Sequence, residues 1–281
     1  MNKNSDWRRH KLFRAIPCCT LLLFGSFFYS CPQEAVAEGG APDFKNRIEL
    51  SGEYEYLSPH DPYGNWETFT AAFYRKERPD FTWFAEMSVY TRPEGDGVLG
   101  ALGAYKDWTP FLYTYTALST GTNTVYLPQV RIDQDFNIKF GPEKKFVWVI
   151  GGTYIKYHTD QAEYILSTGL TVYLDKWVAE YRLFRNVSSP GWIESFSQLF
   201  SLAYGQEGWQ WTTAICSYGK QAYFATELAT PQAVENNSLL LALRHRHWLA
   251  KNYGVFGEIS YFDLQGAYQK GGLLLGVFRE F

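Results

Sequence analysis

From Asn46 to the last residue, apolar and polar positions alternate with a period of two. The cleanest stretch is Val130 to Phe140, where Val130, Ile132, Gln134, Phe136, Ile138 and Phe140 share one face. Arg131, Asp133, Asp135, Asn137 and Lys139 occupy the other. Earlier, Ile48, Leu50, Gly52, Tyr54 and Tyr56 alternate with Arg47, Glu49, Ser51, Glu53 and Glu55. Near Trp177, the residues Trp177, Ala179, Tyr181 and Leu183 oppose Glu180 and Arg182. Such alternation over segments rich in β-branched and aromatic residues predicts strands rather than helices. Candidate strands begin near Asn46, Asn65, Phe81, Val98, Phe111, Gln129, Phe146, Glu163, Trp177, Glu194, Gln210, Gln221, Ser238, Tyr253 and Gly271. Turn-rich breaks separate them, among them Pro59 to Gly64, Arg78-Pro79-Asp80, Gly141-Pro142, Ser188 to Gly191 and Asn236-Asn237. No linker or internal repeat divides this region.

Alternation has two readings. A soluble sandwich buries the apolar face and exposes the charged one. A membrane barrel turns the apolar face to lipid and the charged face to its lumen. Strands of about ten residues match a tilted bilayer span and are long for a sandwich. Aromatic residues gather near segment ends, at Tyr54, Tyr56, Trp66, Trp108, Phe111, Trp177, Trp209, Trp211 and Trp248. Rings with a polar tip favour the headgroup level. The chain closes on GGLLLGVFREF, with Phe281, Val277, Leu275 and Leu273 on one face. A terminal Phe on an alternating strand is the kind of signal that barrel-insertion machinery reads, although Arg279 stands where an apolar residue is usual. These features favour an all-β fold, an antiparallel transmembrane β-barrel spanning residues 46–281. Single-chain bacterial barrels have even strand numbers, so about 14 strands are expected, with 12 and 16 open.

The N-terminal segment changes the picture of compartment. Arg8, Arg9, Lys11 and Arg14 precede the apolar run Ala15 to Tyr29, and Ala35-Val36-Ala37 follows. That order predicts a cleaved signal peptide over residues 1–37 and a short tether over 38–45. An uncleaved anchor, and a lipoprotein signal ending at Cys31, are the alternatives. Cleavage after Ala37 leaves 21 Lys/Arg against 27 Asp/Glu, a net charge of −6. This balance argues against nucleic acid as a partner. Three of the four cysteines fall in the signal, so only Cys216 remains and the fold must hold without an intrachain disulfide.

From about Phe111 onward an ordered set of short pieces carries a family resemblance. They are Tyr126-Leu127-Pro128, Gly151 to Tyr157 (GGTYIKY), Gly169 to Tyr173 (GLTVY), Tyr181-Arg182 and Leu202 to Gly205 (LAYG). Leu243 to Leu249 (LRHRHWL), Gly254-Val255-Phe256 and Leu275 to Phe281 complete it. The chain resembles the YaiO-type outer membrane β-barrel family. The resemblance implies an integral protein of the bacterial outer membrane, with lipid and the barrel-insertion machinery as partners. Barrels of this type are often associated with export of surface polysaccharide. Some members carry tetratricopeptide repeats before the barrel, but no 34-residue helical repeat fits this sequence. Any periplasmic export component would then be a separate chain.

Candidate chemistry is sparse. His245 and His247 share a strand face, but no acidic third ligand is local, so no metal or other cofactor is expected. His158 and Asp160 form a loose pair in a turn, and Ser167 and Ser201 have no motif around them. The nucleophile elbow is absent, and the chain does not read as an enzyme. The better constellation is the polar stripe: Glu49, Glu53, Arg131, Asp133, Asp135, Lys139, Glu180, Arg182 and Glu258. In a barrel these residues line the lumen, where they either brace the wall or flank a hydrated path. Acidic and aromatic side chains together suit a glycan, among other polar solutes. The readings are therefore a barrel assisting export of a surface polysaccharide through or alongside its lumen, a docking barrel with a plugged lumen, and an outer membrane enzyme.

Overall fold

The computed structural model describes residues 45–220 and 237–281. The expected signal peptide, tether residues 38–44 and the candidate strand at Gln221 lie outside the described residues. Fourteen antiparallel strands close into one barrel, each bonded to its sequence neighbours. They are β1 (Asn46–Ser58), β2 (Asn65–Arg78), β3 (Phe81–Thr91), β4 (Gly97–Thr109) and β5 (Leu112–Gly121). Then follow β6 (Pro128–Phe140), β7 (Phe146–Tyr157), β8 (Ala162–Leu174), β9 (Trp177–Ser189) and β10 (Ile193–Gln206). The last four are β11 (Gln210–Lys220), β12 (Asn237–Ala250), β13 (Tyr253–Leu264) and β14 (Tyr268–Glu280).

Closure is complete along the seam. β1 and β14 pair from Arg47↔Glu280 to Ser58↔Gln269. Beyond the ladder, the Phe281 amide donates to the Asn46 carbonyl at 2.9 Å, and the Asn46 amide donates to the Phe281 carbonyl at 2.8 Å. A closed ring leaves no strand edge, which is what lets a sheet sit in hydrocarbon that offers no competing hydrogen bonds. β11 and β12 pair directly, from Gln210↔His247 to Lys220↔Asn237, so the ring closes without a strand between them.

Side-chain parity follows the sequence pattern. Ile48, Leu50, Tyr54 and Tyr56 point outward on β1, and Ile132, Phe136 and Phe140 do so on β6. Their alternates Arg131, Asp133 and Asn137 are buried. Apolar outside and charged inside is the reverse of a soluble sandwich and the rule of a membrane barrel. The end carrying the chain termini has tight turns at 79–80, 110–111, 175–176 and 251–252. The opposite end has longer loops at 59–64, 92–96 and 122–127. Short turns face the periplasm in barrels of this architecture.

Three of the expected interfacial aromatics are corrected. Trp66 and Trp248 are buried on the inner face, because they share parity with Thr68 and Thr70 on β2 and with Arg244 and Arg246 on β12. Trp211 shares inward parity with Ile215 and Ser217 on β11 and packs against the cluster that holds Trp248 and Phe278. The Trp66 indole donates to the Tyr63 carbonyl at 3.2 Å, and that of Trp248 donates to Glu280 at 3.2 Å. Tyr54, Tyr56, Trp108, Phe111, Trp177 and Trp209 do face outward.

A lumen full of water would carry polar side chains all round. Here the inner face also carries a contiguous apolar girdle. Leu99, Ile155, Ile165, Phe184, Leu199, Ile215, Leu240 and Phe262 belong to it. Tyr126 and Leu127, from the loop 122–127, fold against the same girdle. The Tyr126 hydroxyl donates to the Gly95 carbonyl at 2.5 Å.

Candidate functional site: the inner wall

All nine stripe residues sit at inward positions, and most find partners there. Asp135 on β6 meets Arg182 on β9 at 2.6 Å, reaching past β7 and β8. Two glycines make this reach possible. A Cβ at Gly151 would lie 2.1 Å from Asp135 Oδ1 and 2.5 Å from Arg182 Nη2. One at Gly169 would lie 2.6 Å from the Tyr181 carbonyl oxygen and 3.0 Å from Arg182 Cγ. Arg182 therefore lies flat along the wall, where Nη2 also donates to Ser167 Oγ at 2.9 Å. The GGTYIKY, GLTVY and Tyr181-Arg182 pieces of the sequence thus converge on one ion pair. Glu180 lies within electrostatic reach of both members.

Nearby, Arg131 holds Asp133 with two parallel bonds of 2.7 and 2.8 Å, and Thr153 adds a third to Asp133 at 2.7 Å. A bidentate, charge-assisted arrangement of this kind fixes both side chains. Lys139 bonds Asp107 at 3.0 Å and lies 4.8 Å from the Tyr113 ring centroid.

A second cluster is built around the LRHRHWL piece. Arg244 bonds Glu258 at 2.8 Å, and Arg246 bonds Glu49 at 2.8 Å. The Arg246 guanidinium lies 4.8 Å from the Phe278 ring and 5.1 Å from that of Phe256. Arg47 bridges Glu280 at 2.7 Å and Glu207 at 2.6 Å. Gly254 and Gly276 leave room for these rings, since a Cβ there would lie 2.5 Å from Phe278 and 2.3 Å from Phe256. Glu53 lies on the same inner face of β1, between Glu49 and the Glu55–Lys270 pair of 2.7 Å.

Arg244, Arg246, Asp107, Glu207, Lys270 and Glu280 lie outside the stripe that the sequence marks, and Arg47 appears there only as a polar-face position of the first strand. The missed signal is visible in hindsight on β12. Arg244, Arg246 and Trp248 alternate with Leu243, His245, His247 and Leu249, so the basic residues and not the histidines have inward parity. His245 and His247 stack at 6.0 Å on the outer surface, and the Thr212 hydroxyl pairs with His245 Nδ1 at 2.8 Å. Among the described residues, no group of three or more His, Cys, Asp and Glu gathers as a metal site would require. His158 engages the Gly121 carbonyl at 3.0 Å, and the Ser167 hydroxyl is taken by Arg182.

Aromatic rings form the rest of the inner wall. Tyr74, Phe84, Tyr115 and Tyr105 make a connected array across β2 to β5, with centroids 4.9 to 6.2 Å apart at successive contacts. Toward the loop end, Arg92 lies 4.0 Å from the Trp66 ring and 4.7 Å from that of Tyr126, a desolvated cation–π stack. In the same loop, burial raises the Glu94 carboxyl above its ordinary range, opposed by a backbone bond and by Arg92. At the turn end, hydrogen bonding to Lys106 holds the Asp80 carboxyl below its ordinary range.

A closed antiparallel barrel with an apolar outer band and a charged inner face defines an outer membrane β-barrel. The YaiO membrane beta barrel domain matches residues 45–224, and the chain belongs to that family. The match takes in the N-terminal strands, which carried few of the recognised pieces, and it ends before LRHRHWL. Among solved structures, the chain is similar to Omp33 of Acinetobacter baumannii at 10% identity and a TM-score of 0.51, covering 85% of this chain and 99% of that one. It is similar to a bacterial polysaccharide outer membrane secretin at 7% identity and 0.51, covering 86% and 100%. The Pseudomonas putida toluene transporter TodX gives 8% and 0.51, covering 86% and 91%. Likeness at these identities shows the barrel fold alone. No curated protein sequence matches the chain significantly.

Proposed function

We propose that this barrel assists export of a surface polysaccharide, with an inner wall that binds sugar and does not conduct ions freely at rest. The observation that carries the reading is the joint composition of that wall. Tyr74, Tyr105, Tyr113 and Tyr115 present ring faces and hydroxyls beside carboxylates, the chemistry that stacks on and hydrogen-bonds to pyranose rings. Most of the wall's charges are spent on one another, which suits a neutral or weakly charged polymer better than an ion. The association of this family with polysaccharide export supports the same reading. No catalytic role is assigned to any residue.

The apolar girdle favours a second reading, a closed barrel that docks a partner. The two readings separate in a deletion strain. Export predicts that deletion lowers polysaccharide at the cell surface and raises it in the periplasm, with recovery on expression of the wild type. A docking barrel with no part in export leaves both pools unchanged.

Phe281 is proposed as the element read by the insertion machinery, and its backbone also bonds across the seam to Asn46. Phe281→Ser keeps those backbone bonds and removes the ring. The expected result is a several-fold fall in the outer membrane fraction that migrates fast on an unheated detergent gel. Assembly at the wild-type level contradicts the role.

A further inference from the structure

Resting on the reading above, we propose a saccharide-binding subsite on the loop-side half of the inner wall, centred on Asn186 and built from Tyr157, Glu163, Phe184, Ser188 and Ser197. Asn186 is fully buried on β9, and neither its Oδ1 nor its Nδ2 has a hydrogen-bond partner. The Tyr157 hydroxyl on β7 and the Ser197 hydroxyl on β10 are buried without partners as well. These strands are consecutive neighbours through β8, so the groups share one patch of wall. Register places Asn186, Glu163, Phe184, Ser188 and Ser197 close, and Tyr157 joins them at the loop side through Glu163. Asn186 pairs with Ile165 on β8 and Ser195 on β10, Phe184 pairs with Ser197, and Glu163 pairs with Ser188.

Buried amides and hydroxyls are nearly always satisfied, because a buried group without a partner forfeits the bonds it makes to water in the unfolded chain. Several in one patch mark a place where a polar ligand supplies the missing partners. The chemistry names its class. An asparagine amide offers two donors and one acceptor, matching a pair of adjacent sugar hydroxyls. Glu163 Oε2 accepts the Ser188 hydroxyl at 2.7 Å, and the carboxyl group has a second oxygen that can bond a further hydroxyl. Phe184, part of the girdle, borders the set on its apolar side. No basic residue belongs to the set, so the ligand is a neutral or amino sugar unit and not an anion.

Asn186→Leu is the decisive variant, because it removes the amide while filling the same space. The probe is polysaccharide purified from the surface of the strain that carries the protein, titrated into wild type and variant in detergent and followed by calorimetry. The expected result is measurable binding by the wild type and at least ten-fold weaker binding by Asn186→Leu, with both migrating as folded barrels when unheated. Ser201→Ala, on the same face nearer the turn end, should bind as the wild type does. Equal binding by Asn186→Leu and wild type, with a higher melting temperature in the variant, would mean that the amide meets only water and overturns the subsite. Absence of wild-type binding overturns it too. Loss of binding in Asn186→Leu in a system where deletion leaves export unchanged keeps the subsite and rejects the export role.

Discussion

Arg182→Leu is expected to destabilise the folded barrel by about 3–5 kcal/mol, the cost of leaving a buried charge without its partner. Both side chains are largely buried, at 11% and 18% exposure, and Arg182 is held in place by Ser167 as well as Asp135. Combining the change with Asp135→Leu should restore part of the loss, because the double variant leaves no lone charge. Reversible urea unfolding in lipid vesicles measures each corner of the cycle. An exposed pair in a water-filled lumen would cost only about 0–1 kcal/mol. That smaller value would mean that Asp135 and Arg182 flank a hydrated path and do not brace the wall.

Phe136→Arg and Ile132→Arg should each cost about 2–4 kcal/mol if their side chains meet hydrocarbon near mid-membrane. Both residues lie centrally on β6, with 49% and 44% of their surface exposed. The companion change Asp133→Asn keeps the side chain's shape and one of the two acceptors for Arg131; it weakens that ion pair but puts no charge in lipid, and assembly should survive it. The fraction migrating as a folded barrel before heating, together with the unfolding free energy, gives the comparison. Tolerance of Arg at 132 and 136 with failure of Asp133→Asn would invert the assignment of inside and outside.

Parity made the wall legible, and the reason is geometric. Side chains on a strand alternate strictly, so Val130 to Phe140 told lipid side from lumen side once a barrel was favoured. Turn residues placed fourteen strand starts within three residues of those observed, because Pro, Gly and Asn sit where the chain reverses. Partner identity was not legible. Arg182 meets Asp135 across two intervening strands, and only register and the missing Cβ atoms of Gly151 and Gly169 make that contact possible. Trp66, Trp211 and Trp248 are ambiguous because an aromatic near a strand end suits either the headgroup belt or the lumen, and parity alone decides. Arg244 and Arg246, interleaved with Trp248, read as a strand end near the interface for a related reason. The histidines between them face outward, while the arginines carry the ion pairs. The girdle of Ile155, Ile165, Phe184, Leu199 and Ile215 was hidden because inward apolar residues break the polar-inside rule on which the barrel reading rested.

Conductance of the purified wild-type barrel in planar bilayers is the most direct test of a lumen closed by its own girdle and its own ion pairs. The account predicts no steady porin-like steps for the wild type and the appearance of such steps in Leu199→Ser/Ile215→Ser, which thins the girdle and keeps both partners of every ion pair described above. Large, stable, ion-selective steps from the wild type would contradict it, because they require an open, hydrated path through the residues described here as packed.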